Sequence, residues 1–359
     1  MTTPPSPERL ELQIDGDEQA VCEAFHRWGF SDGLPIVAPM RERVDAMCAA
    51  ATRYPLESLG AIAPSGGPAT VQKLAINAVM AGCLPEHFPV LMAAVEAVLE
   101  PAFNLIGVQT TTHPCGVMLL VHGPIARELG LNAGPNCLGQ GNRANASLGR
   151  ALRLVLQNVG GALPGGADRA TQGSPAKVGF CFAENEAESP WPPLRTVLGF
   201  SAEESCVTVA ATEGPHNIND HGSSTAESLL TTVAETMATV GNNNLYVGGD
   251  TFLVLGPEHA RTIADGGFDR AAVQAFLYER ARVSVERIGA GKLAELTSWG
   301  GYKDKLSEWG GRIPLVREPE SLRVLVAGGP GKHSAWCPTF AVGFSVTRRI
   351  VREGALCRL

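Results

Sequence analysis

Apolar positions along this chain follow two different rhythms. Val44, Met47, Cys48 and Ala51 recur at helical spacing, which predicts a helix over residues 39–52. Residues 67–82 and 85–100 are apolar nearly all round and read as two interior helices. Beyond residue 105 short apolar runs take over. GVMLLVHGP reads as a buried strand closed by a turn; KVGFCFAE, SCVTVAATE, DTFLVLGP and LRVLVAGGPGK read as further strands. Helical stretches lie between them. ANASLGRALRLVLQNV is entered through the Gly-rich loop NAGPNCLGQGNR and ended by Gly160-Gly161. Ser224-Thr225-Ala226-Glu227 has capping-box spacing and opens a helix to about Val240. ARTIADGG and FDRAAVQAFLYERARVSVERI complete the set, the latter capped by Asp269.

The strands echo one another. Leu120-Val121-His122-Gly123-Pro124 resembles Leu253-Val254-Leu255-Gly256-Pro257, and each is followed by Ala-Arg, at Ala126-Arg127 and Ala260-Arg261. Val326-Ala327-Gly328-Gly329-Pro330 is a weaker third copy. The expected fold class is α/β, with pseudo-symmetric strand–Gly-Pro–helix units and a helical N-terminal part. The expected organisation is a flexible tail over 1–20, a mainly helical part over 21–105, and an α/β body over 106–359 that carries the site. Ligands of open α/β sheets gather at the carboxyl ends of strands, so loops after equivalent strands are where chemistry is expected.

Composition narrows the function classes. With 45% hydrophobic residues the chain can bury a large core, which excludes wholesale disorder. Lys plus Arg total 29 against 36 for Asp plus Glu, with no basic stripe, so nucleic acid is not an expected partner. The first residues, MTTPPSPERLELQIDGDEQ, lack a basic region followed by an apolar one. The most apolar stretch, Phe88 to Val108, is broken by Glu96, Glu100, Pro101 and Asn104 and reads as a buried helix plus loop, not a bilayer span. A cytoplasmic protein is expected. The nine cysteines are odd in number and show no CxxC spacing, so no disulfide framework is expected.

Polar clusters at the strand ends carry the candidate chemistry. The densest is Glu213-Gly214-Pro215-His216-Asn217-Ile218-Asn219-Asp220-His221-Gly222. Two imidazoles and two carboxylates there suit a general base with an orienting acid, or metal ligation. His216 and His221 are the expected bases or metal ligands, with Asp220 orienting, although the spacing matches no zinc signature. Glu258-His259 follows the second echo strand as a candidate proton-transfer pair, with a first-turn helical acid as the plainer alternative. Arg143 and Asn142, at a Gly-rich helix entry that is neither GxGxxG nor a Walker motif, suit a carboxylate or phosphate. His113, His333 and Glu184 are expected to line the same cleft. Cys137, with Cys115 and Cys337, is a candidate thiol nucleophile. There is no GxSxG elbow, HExxH, EF-hand loop or kinase motif.

SDGLPIVAPMRERVDAM, GNRANASLGRALRLVLQNVGGA, AENEAESPW, EGPHNINDHGS and LGPEHA together resemble a group of uncharacterised bacterial proteins, long-chain relatives or neighbours of the UGSC (seleno)proteins, over about residues 30–350. The resemblance implies a bacterial, cytosolic enzyme. The chain has no UGSC tetrapeptide, so a thiol or selenol redox role does not follow.

The function expected is an enzyme acting on a small polar or anionic molecule by hydrolysis or lyase-type elimination, moving protons through His and carboxylates. The cofactor is unnamed; a divalent metal suits the donors. Two alternatives stand beside it: a thiol-dependent enzyme using Cys115, Cys137 or Cys337, and a non-catalytic subunit or binding protein. A homo-oligomer is expected, because the apolar helices over residues 67–100 offer a surface to a partner chain.

Overall fold

The computed structural model describes residues 12–299 and 302–352. Cys357 and the first eleven residues of the expected tail lie outside these. Helix α1 (Glu18–Arg27) starts inside that tail, capped by the Asp17 carboxylate on the Ala20 amide. Helix α2 (Arg41–Ala49) and a hairpin of β1 (Ser58–Ile62) and β2 (Gly67–Thr70) follow, then α3 (Val71–Ala81), α4 (Phe88–Val98) and α5 (Leu105–Thr110). The hairpin takes the first four residues of the helix expected over 67–82, because Thr70 in extended backbone caps α3.

The first sheet-forming unit is β3 (Gly116–His122), α6 (Pro124–Glu128), α7 (Arg143–Asn158), β4 (Phe180–Ala183), α8 (Leu194–Val197) and β5 (Cys206–Thr212). Then come β6 (His216–Asn219), α9 (Ala226–Met237), β7 (Thr251–Leu255), α10 (Pro257–Asp265), α11 (Arg270–Arg280), β8 (Arg282–Ser284), α12 (Ala290–Ser298), α13 (Tyr302–Glu308), β9 (Arg312–Pro314), β10 (Leu322–Val326), β11 (His333–Cys337) and β12 (Val346–Arg349).

Two four-stranded sheets have the same plan. One runs β4-β3-β5-β12 and the other β10-β7-β11-β6. In each, the strand before the Gly-Pro turn lies parallel to one neighbour and antiparallel to the next. The fold is α/β, and the strand–Gly-Pro–helix echo corresponds to two like units. Each unit gives its last strand away: β6 follows β5 by three residues yet joins the second sheet, and β12 follows β11 yet joins the first. The two crossovers are zipped by a Thr212–Thr339 bridge and by Glu213 N–H donating to the Pro338 carbonyl. Gly248 and Gly249 let this crossing close, since a Cβ on either would fall 2.2 Å from the carbonyl oxygen of Ala341 or Gly343.

Period-2 alternation explains the layering. Met118 and Leu120 of β3, Phe180 and Phe182 of β4, and Phe252 and Val254 of β7 form a core between the sheets. Leu119 and Val121 face a second core with α3, α4 and α7. Leu253 and Leu255 face a third with α9, α10 and α11. The result is four layers, helix–sheet–sheet–helix, and strands buried on both faces are why they read as unbroken apolar runs.

Several expectations need correction. The two echo strands match one residue out of step, since Leu120 faces the other sheet while Leu253 faces helices. The third copy is no repeat: β10 lies in the position of β4, parallel to the Gly-Pro strand. The helix expected across residues 268–288 stops at Arg280 and gives way to β8. Thr225, not Ser224, caps α9. Helices α3 and α4 bury most of their residues within this chain. Among the described residues no single helix is long and apolar enough to cross a membrane; the apolar pair Pro85–Val98 and Pro101–Thr110 bends by 73° and lies largely in the core.

Candidate functional site

The carboxyl ends of β7 and β10 meet the start of β11 and the end of β6. In the antiparallel pairing of β6 with β11, Asn219 lies opposite His333, so the turn after β6 folds His221 back over the start of β11. The imidazoles of His221 and His333, 112 residues apart in sequence, come together with Nε2 atoms 3.3 Å apart. Their rings are 5.2 Å apart and nearly perpendicular, at 80°. Both side chains are exposed.

The backbone behind each ring is fastened. Asp220 accepts hydrogen bonds from the amides of Gly222 (3.1 Å) and Ser223 (2.8 Å) and from the hydroxyls of Ser223 (2.8 Å) and Thr232 (2.7 Å). The Thr232 hydroxyl and these other donors hold its carboxyl down at about 2. The Lys332 ammonium donates to the His221 carbonyl (3.2 Å). Glu258 Oε1 accepts from the Gly331 amide (2.6 Å), steadying the loop before His333. His333 Nδ1 lies 3.0 Å from Asn217 Oδ1. With the amide so oriented that nitrogen donates, and a ring carrying that single N–H turns its Nε2 lone pair toward His221.

His259 ties the two segments together. It is buried in α10, and burial pushes its pKa down, so the ring is neutral with one N–H. A carbonyl only accepts, so Nε2–H donates to the Asp220 carbonyl (3.1 Å) and Nδ1 accepts from the Ser334 hydroxyl (2.8 Å). Ser334 Oγ in turn accepts from the Gly256 amide (3.1 Å).

The expected site residues divide accordingly. His221 and His333 meet. Asp220, Glu258 and His259 surround them but are engaged by backbone groups and hydroxyls: a carboxyl held at about 2 is a weak base, Glu258 belongs to the first turn of α10 and accepts from Gly331, and both nitrogens of His259 are occupied. His216 does not join His221 as a metal pair. It sits three residues before Asn219, opposite Trp336, about 10 Å along the strand. His113 is at the other end of the sheets, its Nε2 2.9 Å from Glu213 Oε1 and its ring against Phe340. Asn142 caps α7, and Arg143 Nε donates to the Gly82 carbonyl (3.1 Å). Their loop reaches the site only at its start, where the Ala133 carbonyl accepts from Gly328 and Pro135 packs on Gly329. The thiols are not activated. Burial pushes Cys115 up to about 12, Cys137 to about 11 and Cys337 to about 12, which disfavours the thiolate form of each.

Glu184 belongs to a second, buried cluster. His122, Glu184 and Glu186 form a possible metal-binding group, with ligand atoms within 4.8 Å of one another. Protein partners already occupy it. His122 Nδ1 meets Glu184 Oε2 at 2.8 Å and its Nε2 meets Thr208 Oγ1 at 3.0 Å. Glu184 also accepts from the Leu194 amide (2.9 Å), and Arg195 grips both oxygens of Glu186 at 2.9 Å. Arg270 lies 4.0 Å from Glu184 and leaves Nη2 without a hydrogen-bond partner. Sequence reasoning passed over His122, Thr208, Arg195 and Arg270. The one signal was a histidine ending an apolar run, which once buried must find polar partners. Asn217 and Lys332 carry no signal of their own in the sequence beyond their place in a polar loop and at a strand end.

No protein-family model matches the chain, and no curated protein matches it. The geometry alone therefore carries the functional reading.

Proposed function

We propose that this chain is an enzyme acting on a small polar or anionic molecule at the His221–His333 end, by hydrolysis or lyase-type elimination. The supporting observation is the 3.3 Å approach of two exposed imidazole nitrogens delivered by separate loops whose backbones are fastened from behind. A neutral pair of this kind holds one N–H and one lone pair facing each other. It is therefore both donor and acceptor, able to take a proton from an attacking water or a carbon acid and return it to a leaving group. Its position beyond the carboxyl ends of β7 and β10 is where open α/β sheets receive ligands. Lys332 adds a cation beside the pair, favouring an anionic group on the substrate.

The test is a screen of carboxylic and phosphoric esters, amides and hydroxy acids against the full chain, repeated with His221→Ala and His333→Ala. Loss of turnover in both variants, with unchanged unfolding midpoints, supports the reading. Turnover retained by the double variant removes it.

A further inference from the structure

The geometry points to a divalent-metal site made by the Nε2 atoms of His221 and His333, of the kind that Zn²⁺ or Co²⁺ fills with tetrahedral coordination. Two nitrogens bound at about 2.0–2.1 Å and separated by the tetrahedral angle stand about 3.3–3.4 Å apart. The observed separation is 3.3 Å. A right-angled octahedral pair at the same bond length would close to about 2.9 Å, which is shorter than this pair.

The surroundings match what an imidazole ligand requires. The N–H of His333 that is not offered to a metal donates to Asn217 Oδ1, which fixes the tautomer with Nε2 bare. His221, an exposed side chain, needs only to carry its hydrogen on Nδ1 to present its own Nε2. No rearrangement of backbone is needed, because Asp220, Lys332, His259 and Glu258 already hold both loops.

Among the described residues no third His, Cys, Asp or Glu donor joins this pair in a ligand-sized group. Two positions would be left to water or substrate, one more than in three-ligand reactive sites and two more than in closed structural ones. A divalent metal held by the two imidazoles would supply Lewis acidity there, lowering the pKa of a bound water. The buried His122–Glu184–Glu186 group differs, since a cation there would compete with Arg195 for Glu186.

This inference rests on the same pair as the proposed reaction but not on turnover, and metal binding itself tests it. Chelator-treated full chain is titrated with ZnCl₂ by calorimetry and with CoCl₂ by visible absorption, while ¹⁵N spectra follow the histidine rings. One equivalent should bind, shift the Nε2 signals of His221 and His333, and give the absorption of four-coordinate cobalt. His221→Ala or His333→Ala should weaken binding at least tenfold, and Asn217→Ala by about tenfold as an outer partner. His216→Ala should bind as the parent does. Unmoved Nε2 signals at saturating Zn²⁺, or parental affinity in the double His→Ala variant, overturn the inference. If the metal-free protein turns over a substrate and no metal binds the pair, the proton-transfer reading stands and the metal site falls. If metal binds the pair and no substrate is turned over, the reverse holds.

Discussion

Replacing His259 by Leu isolates the strut that holds the two reactive rings together. The leucine fills a comparable buried volume but makes no hydrogen bond. Two groups would be stranded: the Asp220 carbonyl, which loses its donor, and the Ser334 hydroxyl hydrogen, which loses its acceptor. Ser334 Oγ would still accept from Gly256, so its loss is partial. A stranded buried polar group costs about 1–3 kcal/mol, so the pair predicts a loss of about 2–4 kcal/mol, less whatever the leucine recovers by apolar burial. Urea unfolding of parent and variant measures the total. The local consequence is sharper, because one side chain of α10 touches both segments. Without it the start of β11 and the β6 segment keep strand pairing, Lys332 and the His333–Asn217 contact but lose this strut, so the His221–His333 contact should loosen. Ring ¹⁵N and ¹H shifts of both histidines should move toward those of freely hydrated imidazole. A variant that unfolds within about 0.5 kcal/mol of the parent and keeps both sets of ring signals would refute the strut argument.

Three further outcomes follow from the structure. His122→Leu should cost about 3 kcal/mol because it removes one partner of a fully buried carboxylate, and adding Glu184→Gln should recover part of that loss, a non-additivity readable by a double-mutant cycle; strict additivity would count against it. Burial raises the Asp168 carboxyl, but Lys177, the Ala170 amide and Arg153 outweigh burial and hold its pKa below the usual carboxylate value. The stability this contributes is present above the unfolded value of about 3.9 and is lost as pH falls through the depressed folded value, so Asp168→Asn should cost about 3 kcal/mol at pH 7 and progressively less in acid. Cys83, Cys115, Cys137, Cys181, Cys206 and Cys337 are buried, with thiols raised by burial, so iodoacetamide should label them only after unfolding; rapid labelling of Cys137 in the native protein would revive a thiol mechanism.

Much of the element list is legible in the residues. GVMLLVHGP and DTFLVLGP give strands because a strand buried on both faces must be apolar at every position, and ANASLGRALRLVLQNV gives a helix because its polar residues fall on one side. The short strands β6, β11 and β12 are not legible. HNIN has one buried residue of four, so at a sheet edge it looks like a polar loop. HSAWC lies between two strands but begins with exposed His333, which hides its start.

The site divides along the same line. Local sequence determines that His221 sits inside a tight Asp220-stapled turn and that Glu258 enters a helix behind Pro257, because those are bonds between residues a few positions apart. It cannot determine that His221 meets His333 rather than His216. That depends on strand β6 leaving its own unit to pair with β11, a choice made by two sheets burying a shared apolar face more than 100 residues apart in the chain. Hydrophobic patterning says which side of a strand is buried. Only packing the two sheets against each other decides which loops are neighbours, and with them which imidazoles can act together.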